Sequence, residues 1–145
     1  MQSKVRGVRE MPDGAILSQK HLEPIKNDLI LFFETWVDFQ GDAFSQDRTG
    51  FQLVATLIQG LGLVFNNLWR TYETLPAVER TNHIYQAAKK LGNIEYSRVA
   101  KHWESCGCVS LSENGTYVVN TSGSTSRIGF ARHLSNKLGI PYRSK

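Results

Sequence analysis

The chain has 145 residues, of which 41% are hydrophobic and 10% aromatic, and its formal net charge is +4. This composition excludes wholesale disorder and predicts one ordinary domain with its own hydrophobic core. The charge is unevenly distributed, because the segment 98–145 carries seven Lys and Arg against two carboxylates, whereas the segment 21–60 carries two against six. Either the C-terminal part faces a polyanion, or the two segments are solvated faces of opposite sign.

The N-terminal segment 1–20 is predicted to be a basic, flexible arm, because it carries Lys4, Arg6 and Arg9 without a periodic apolar pattern. Such an arm can lie in a nucleic-acid groove or can simply fray. Its charges also interrupt any continuous apolar core, so no signal peptide is expected. We therefore expect a cytoplasmic protein whose two cysteines stay reduced.

Residues 21–75 are predicted to form two amphipathic helices, the first from Pro24 to about Gln40 and the second within 49–69. The second segment is long enough to cross a bilayer, but its polar residues fall mostly on one side of a helix, so no membrane partner is expected. The apolar faces of both predicted helices are broader than the core of one small domain requires. The pair is therefore expected to form a helical core or a homodimer interface through residues 24–75.

A helix beginning near Pro76 and ending at Gly92 is predicted next, since proline suits a first turn and glycine a helix end. A second helix is expected to follow, because apolar residues recur there at intervals of three and four. They are Tyr96, Val99, Ala100 and Trp103. The opposite face would present one exposed polar stripe. It consists of Arg98, Lys101, His102 and Ser105.

A β-hairpin is predicted after this second helix, and its apolar residues select the register. A two-residue turn at Asn114-Gly115 would split the apolar set between two faces. A three-residue loop, Glu113-Asn114-Gly115 with Gly115 in the left-handed region, keeps that set together. It places Leu111 opposite Tyr117 and Val109 opposite Val119.

The order of helix, turn, helix and hairpin over residues 84–120 resembles the winged helix-turn-helix family of bacterial and phage regulators. The resemblance rests on the segments 87–92, 99–102 and 106–109, followed by the hairpin. Together with the helical patterns outside this segment, it predicts a mainly α fold with one β-hairpin: an N-terminal helical pair, a winged helix-turn-helix over 76–120, and a C-terminal basic helix. It also implies double-stranded DNA binding, with the second helix in the major groove and the wing tip near the minor groove.

The C-terminal segment 121–145 is predicted to begin with a flexible Ser/Thr/Gly joint, Thr121 to Ser126. Ser126 is then a suitable N-cap for a helix from Arg127 to Leu138 that ends at Gly139. The cations of this helix and of the tail after it suit contacts to a nucleic-acid backbone.

The residues predicted to bind nucleic acid are cations and hydrogen-bonding side chains of these elements. They are Lys89, Lys90, Ser97, Arg98, Lys101, His102, Ser105, Asn114, Arg127, Arg132, Lys137 and Arg143. The predicted function is that of a double-stranded DNA-binding regulator or accessory factor of phage or plasmid type, with RNA as another possible ligand. The alternative is a non-catalytic subunit of a larger nucleoprotein or phage assembly that uses the winged fold for protein or RNA contacts.

No motif for catalysis or cofactor binding is recognised, so no enzyme activity and no cofactor are predicted. Glu34 and Asp38 lie one helical turn apart, but no histidine or lysine lies at a compatible spacing, which favours a solvated face. His102, Cys106 and Cys108 are a candidate metal set. Because a structural zinc site needs a fourth ligand, packing of the cysteines under the wing is the preferred interpretation.

Overall fold

The computed structural model describes the backbone of residues 12–143 and the side chains of residues 22–143. This part of the chain is mainly helical with one antiparallel hairpin, as the sequence predicted. The elements in chain order are α1 (Pro12–Gln40), α2 (Ala43–Gln46), a first 3₁₀ helix (Phe51–Leu53), α3 (Ala55–Tyr72), α4 (Ala77–Gly92), a second 3₁₀ helix (Lys101–Ser105), β1 (Val109–Leu111), β2 (Tyr117–Val119) and α5 (Gly123–Leu138).

Helix α1 is longer than predicted, because it begins at Pro12 and contains Pro24 in its interior. The predicted arm is therefore wrong for residues 12–20, and the rest of that prediction lies outside the described residues. A proline in the first turn is compatible with a helix start at either position, so the sequence rule alone did not choose between Pro12 and Pro24.

The second predicted helix is divided in two, since a 3₁₀ turn at Phe51–Leu53 precedes α3. Two residues of its polar side, Gln52 and Asn67, are buried. The Gln52 side chain donates to the carbonyl of Asp47 at 2.6 Å, which holds the preceding loop. Asn67 donates to the carbonyl of Pro141 at 3.1 Å and accepts from the backbone N–H of Arg143 at 3.3 Å. The tail after α5 is thus fastened to α3.

The core forms where α3 packs on α5 and α1 packs on α4. Gly60 permits the first of these contacts, because a Cβ atom there would lie 2.9 Å from the carbonyl oxygen of Arg127 and 3.0 Å from the Cβ of Phe130. Aromatic side chains fill the space between the helix pairs, with Phe51 against Trp103 at a centroid distance of 4.7 Å. Residues from both halves of the chain therefore share one core.

The hairpin has the predicted register, with Val109 opposite Val119 and Leu111 opposite Tyr117. Gly115 has φ of +87°, the left-handed conformation that a three-residue loop requires. Its N–H donates to the carbonyl of Ser112 at 3.1 Å and closes the loop.

Helix α5 begins at Gly123, so most of the predicted joint belongs to its first turn. Ser126, the predicted N-cap, is instead buried inside the helix, where its hydroxyl donates to the carbonyl of Thr121 at 2.8 Å. The predicted helix end is confirmed, because Gly139 has φ of +73° and its N–H bonds back to the last turn.

Candidate nucleic-acid interface

The segment predicted as a recognition helix does not form an α-helix. Residues 93–100 make turns and bends, and only Lys101–Ser105 is helical, as a single 3₁₀ stretch. The prediction of a second α-helix is therefore wrong. Tyr96, Ala100 and Trp103 are buried as predicted, but Val99 is 62% exposed.

Hydrogen bonds made by buried aromatic side chains explain why the periodic pattern failed there. The Tyr96 hydroxyl donates to the carbonyl of Leu91 at 2.8 Å and accepts from the indole N–H of Trp36 at 2.9 Å. The Trp103 indole donates to the carbonyl of Ser97 at 3.0 Å. These aromatic side chains satisfy backbone carbonyls directly, and such tertiary contacts override local helix propensity.

Arg98, predicted to face the major groove, has its guanidinium engaged inside the protein. Its Nε donates to the carbonyl of Thr49 at 2.6 Å, and one terminal nitrogen donates to the carbonyl of Tyr117 at 3.3 Å. The guanidinium also lies 4.5 Å from the ring centroid of Phe51. Arg98 therefore joins the hairpin to the first 3₁₀ helix. Because its guanidinium makes these internal contacts, we do not count Arg98 among the cations that face a nucleic acid.

His102 and His133 join the second 3₁₀ helix to α5. Nδ1 of His102 lies 3.0 Å from Nε2 of His133, and Nε2 of His102 lies 2.6 Å from the carbonyl oxygen of Glu95. Because a carbonyl only accepts, His102 donates from Nε2, and its neutral Nδ1 must accept from the Nε2–H of His133. One arrangement of protons thus satisfies both contacts.

Both imidazoles are held neutral near pH 7. Burial is the largest of the causes that together lower the pKa of His133 to about 4, and the nearby His102 and Lys137 contribute the rest. Burial also lowers the pKa of His102, partly opposed by its bond to the carbonyl of Glu95. A proton added to His102 at Nδ1 would remove the acceptor of the shared hydrogen bond, and a proton added to His133 would place a charge in a buried position.

Three cations lie on the two elements that this histidine pair joins. Lys101 precedes His102 and is exposed, Arg132 precedes His133 and is exposed, and Lys137 is near enough to lower the pKa of both rings. Among residues 22–143 the only ion pair joins Asp28 to Arg80, so none of these three cations is neutralised by a described carboxylate at contact distance. We call Lys101, Arg132 and Lys137 the basic patch.

A groove of about 550 Å³ lies beside the basic patch, between α5 and the turn before β1. Its polar walls include Ser105, Thr125, Arg132, His133 and Asn136. Hydroxyl, amide and guanidinium groups are those that bind phosphate oxygens, so the groove is chemically suited to an anionic ligand.

The other predicted site residues occupy separate places. Lys89 and Lys90 are exposed in the last turn of α4, where the ammonium of Lys89 lies 5.5 Å from the ring centroid of Phe39. The carbonyl of Ser97 accepts from Trp103, and its hydroxyl accepts from the N–H of Val99 at 3.3 Å. The structure therefore brings together only part of the predicted set.

Three further predicted residues lie at the hairpin and along the C-terminal region. Asn114 closes the hairpin loop, since its Oδ1 accepts from the N–H and the hydroxyl of Thr116 at 3.3 and 2.8 Å. Arg127 is half-buried, and about 140° of helical rotation separates it from Arg132. Arg143 is exposed, and its carbonyl accepts from Arg70 at 3.2 Å.

Cys106 and Cys108 are free, buried thiols whose sulfur atoms lie 3.6 Å apart. The Cys108 thiol lowers the pKa of Cys106, whereas the same contact and burial raise the pKa of Cys108. Within the described residues no group of three or more His, Cys, Asp or Glu side chains is arranged to hold a metal ion.

Sequence reasoning missed the partner of His133 and a buried ion pair. Asp28 accepts from the Nε of Arg80 at 2.9 Å, from the indole of Trp69 at 3.2 Å and from the hydroxyl of Thr81 at 2.8 Å. These donors lie 41 to 53 residues away along the chain. No local spacing could have revealed this cluster, which fastens α1 to α3 and α4.

Comparison with protein-family models, curated proteins and solved structures found no match to this chain. Among the described residues, no helix combines the length and the apolar character needed to cross a membrane.

Proposed function

We propose that this protein binds double-stranded DNA through the basic patch and the adjoining groove, as a non-enzymatic regulator or accessory factor. The observation that carries the proposal is that Lys101, Arg132 and Lys137 lie on the two elements that the His102–His133 hydrogen bond joins, the second 3₁₀ helix and α5. Cations held on a fixed framework suit phosphates at fixed spacing.

The proposal differs from a standard winged helix-turn-helix in the element that contacts DNA. The chain order of α4, short helix and hairpin resembles that of the winged family, but the short helix spans only Lys101–Ser105. We therefore assign phosphate contacts to this short helix and α5, with Lys89, Lys90 and the hairpin tip at Asn114 as outlying contacts. Base readout by a long helix in the major groove is not part of the proposal.

Duplex nucleic acid is favoured over single strands by the lack of an exposed stacking platform. Among the Phe, Tyr and Trp side chains of residues 22–143, Phe39 is the most exposed, at 37%, and it lies on α1 beneath Lys89. Single-strand binding without sequence preference usually uses aromatic rings on which bases stack. A phosphate-contacting surface without such rings suits a duplex, with duplex RNA as the competing ligand.

The attraction between the basic patch and a polyanion should be modest, because Glu95 and Glu104 lie near the patch. Both carboxylates weaken the field that a polyanion meets. We therefore expect weak, salt-sensitive binding by one copy, which a dimer would strengthen by presenting two patches.

Self-association through α1 is the second part of the proposal. Leu22, Leu29 and Ile30 are 44%, 37% and 45% exposed, and with Phe33 and Val37 they follow one side of the helix. An exposed apolar stripe of this kind is typical of a protein interface. A homodimer is proposed, and a heterologous subunit on the same stripe is the assembly alternative.

Charge reversal tests DNA binding against that alternative. Lys101→Glu and Arg132→Glu, alone and together, should reduce duplex DNA affinity, by roughly tenfold or more for the pair. Arg48→Glu is the matched control, because Arg48 is an exposed cation before the first 3₁₀ helix, outside both α1 and the groove, that undergoes the same charge change. Equal affinities for the control and the double variant would refute the proposal. Loss of self-association in Leu29→Glu, with DNA binding by the monomer retained, would separate the two surfaces.

A further inference from the structure

The two cysteines form a compact dithiol that DNA binding does not use. Cys106 and Cys108 are the only cysteines in the sequence, and a 3.6 Å separation places their sulfur atoms in contact. Gly107 between them is exposed, and a Cβ atom there would meet nothing within 4 Å. The connecting residue therefore leaves the backbone free to adjust.

The dithiol lies where the base of the hairpin meets α5. A Cβ atom at Gly129 would be 2.7 Å from the Cβ of Cys108 and 2.9 Å from its sulfur, so α5 covers one side of the pair. On the other side, Gly107 and Cys108 line the groove described above. The groove thus gives a small, uncharged oxidant a path to Cys108 and to the Cys106 sulfur in contact with it. A second protein molecule cannot reach either residue, because Cys106 is 2% exposed and Cys108 is 1% exposed.

We propose that Cys106 and Cys108 are a redox-active pair that hydrogen peroxide oxidises to an intramolecular disulfide. The thiolate of Cys106 attacks one peroxide oxygen and the O–O bond breaks, giving a sulfenic acid and hydroxide, which takes up the proton that Cys106 released. The Cys108 sulfur then attacks the sulfenic sulfur, and the S–S bond forms. The displaced hydroxide combines with the Cys108 proton, so two thiols and one peroxide yield one disulfide and two waters.

The geometry favours this sequence of steps over slower oxidation of separate thiols. The hydrogen bond between the two thiols lowers the pKa of Cys106 and raises the pKa of Cys108, so Cys106 is the thiol that loses its proton more readily. Bond formation requires the sulfur atoms to approach by about 1.6 Å, from contact to an S–S bond of about 2.0 Å. The exposed turn at Gly107 can accommodate that movement.

This inference does not depend on the DNA-binding proposal, and its test uses the full chain without DNA. Native protein is treated with equimolar hydrogen peroxide, and free thiols and intact mass are followed with time. The expected result is the simultaneous loss of both thiols, a mass lower by two hydrogen atoms, no covalent dimer, and full recovery with dithiothreitol.

Single serine variants identify the attacking sulfur. Cys108→Ser should stop at a sulfenic acid on Cys106 that dimedone traps, whereas Cys106→Ser should react at least tenfold more slowly than the wild type. The proposal is overturned if the wild-type protein keeps both thiols, if it accumulates sulfinic acid without a disulfide, or if both variants lose thiol at the wild-type rate. If a variant does not fold, the oxidation of the wild-type protein still tests whether the disulfide forms.

Discussion

The Nε2–H of His133 donates to Nδ1 of His102 at 3.0 Å, and this contact joins α5 to the short helix at Lys101–Ser105, where Trp103 also packs against His133 and Phe130. It fixes the relative position of the two elements that carry the basic patch. Among the described residues, no other side-chain hydrogen bond connects the short helix to α5. The histidine pair is therefore the polar contact that holds the two parts of the proposed interface together.

Acid should destabilise the protein through this pair. The pKa of His133 is about 4 in the folded state against 6.5 for the free side chain, so its contribution to folding is fully present above about pH 6.5 and is lost as the pH falls toward 4. We expect the melting temperature to fall through this window, as measured by circular dichroism.

Replacement of His133 should flatten that pH dependence. His133→Gln is expected to melt lower than the wild type at pH 7 and to lose less between pH 6.5 and 4. His83→Gln is the control, since His83 is exposed and only stacks on Tyr72. Parallel pH profiles for the wild type and His133→Gln would contradict the assignment.

Arg98 should matter for stability, in contrast to the exposed Lys101. Arg98→Ala removes hydrogen bonds to the carbonyls of Thr49 and Tyr117 and the contact with Phe51, so we expect a loss of about 1–3 kcal/mol in the free energy of unfolding. Lys101→Ala should change it by less than roughly 0.5 kcal/mol. Urea unfolding measures both, and equal effects would show that the Arg98 contacts contribute nothing.

The buried ion pair should be among the most sensitive sites. Asp28→Ala leaves Arg80, which is 8% exposed, without its carboxylate, and we expect a loss of about 3–5 kcal/mol. Asp38→Ala on the same helix removes an exposed carboxylate and should be close to neutral. A loss below about 1 kcal/mol in Asp28→Ala, by urea unfolding, would argue against a buried pair.

Alanine substitutions at Gly60 and Gly62 of α3 should have opposite effects on the free energy of unfolding. Gly60→Ala places a methyl group 2.9 Å from the carbonyl of Arg127, so overpacking should cost about 1–3 kcal/mol. Gly62→Ala meets nothing within 4 Å and should stabilise the helix by about 0.5–1 kcal/mol. Thermal unfolding distinguishes them, and stabilisation by both would mean that α3 and α5 are not in close contact at Gly60.

The sequence predicted correctly those features that depend on residues close together in the chain. Gly115 and the alternation of apolar residues specified the hairpin register, and Gly139 specified the end of α5, because each depends on residues a few positions apart. The coarse fold class followed from the same periodicities.

Distant partners account for what the sequence did not reveal. Tyr96 hydrogen bonds with Trp36, 60 residues away, and His102 with His133, 31 residues away. These contacts hold the predicted recognition helix in turns and place His133 within the candidate site. A periodic pattern records which side chains are buried, but it does not record which backbone carbonyl a buried indole or phenol will bind.

The salt dependence of duplex DNA binding tests the central claim most directly. With three phosphate contacts, a plot of log affinity against log salt should have a slope of about −2.7 for one copy, and Arg132→Ala should make it shallower by about one unit. Fluorescence anisotropy on duplex DNA, duplex RNA and single strands provides the comparison. A shallower slope in Arg132→Ala and an unchanged slope in Arg48→Ala would support the basic patch as the binding surface. No duplex DNA binding at low salt, or the same slope in both variants, would contradict it.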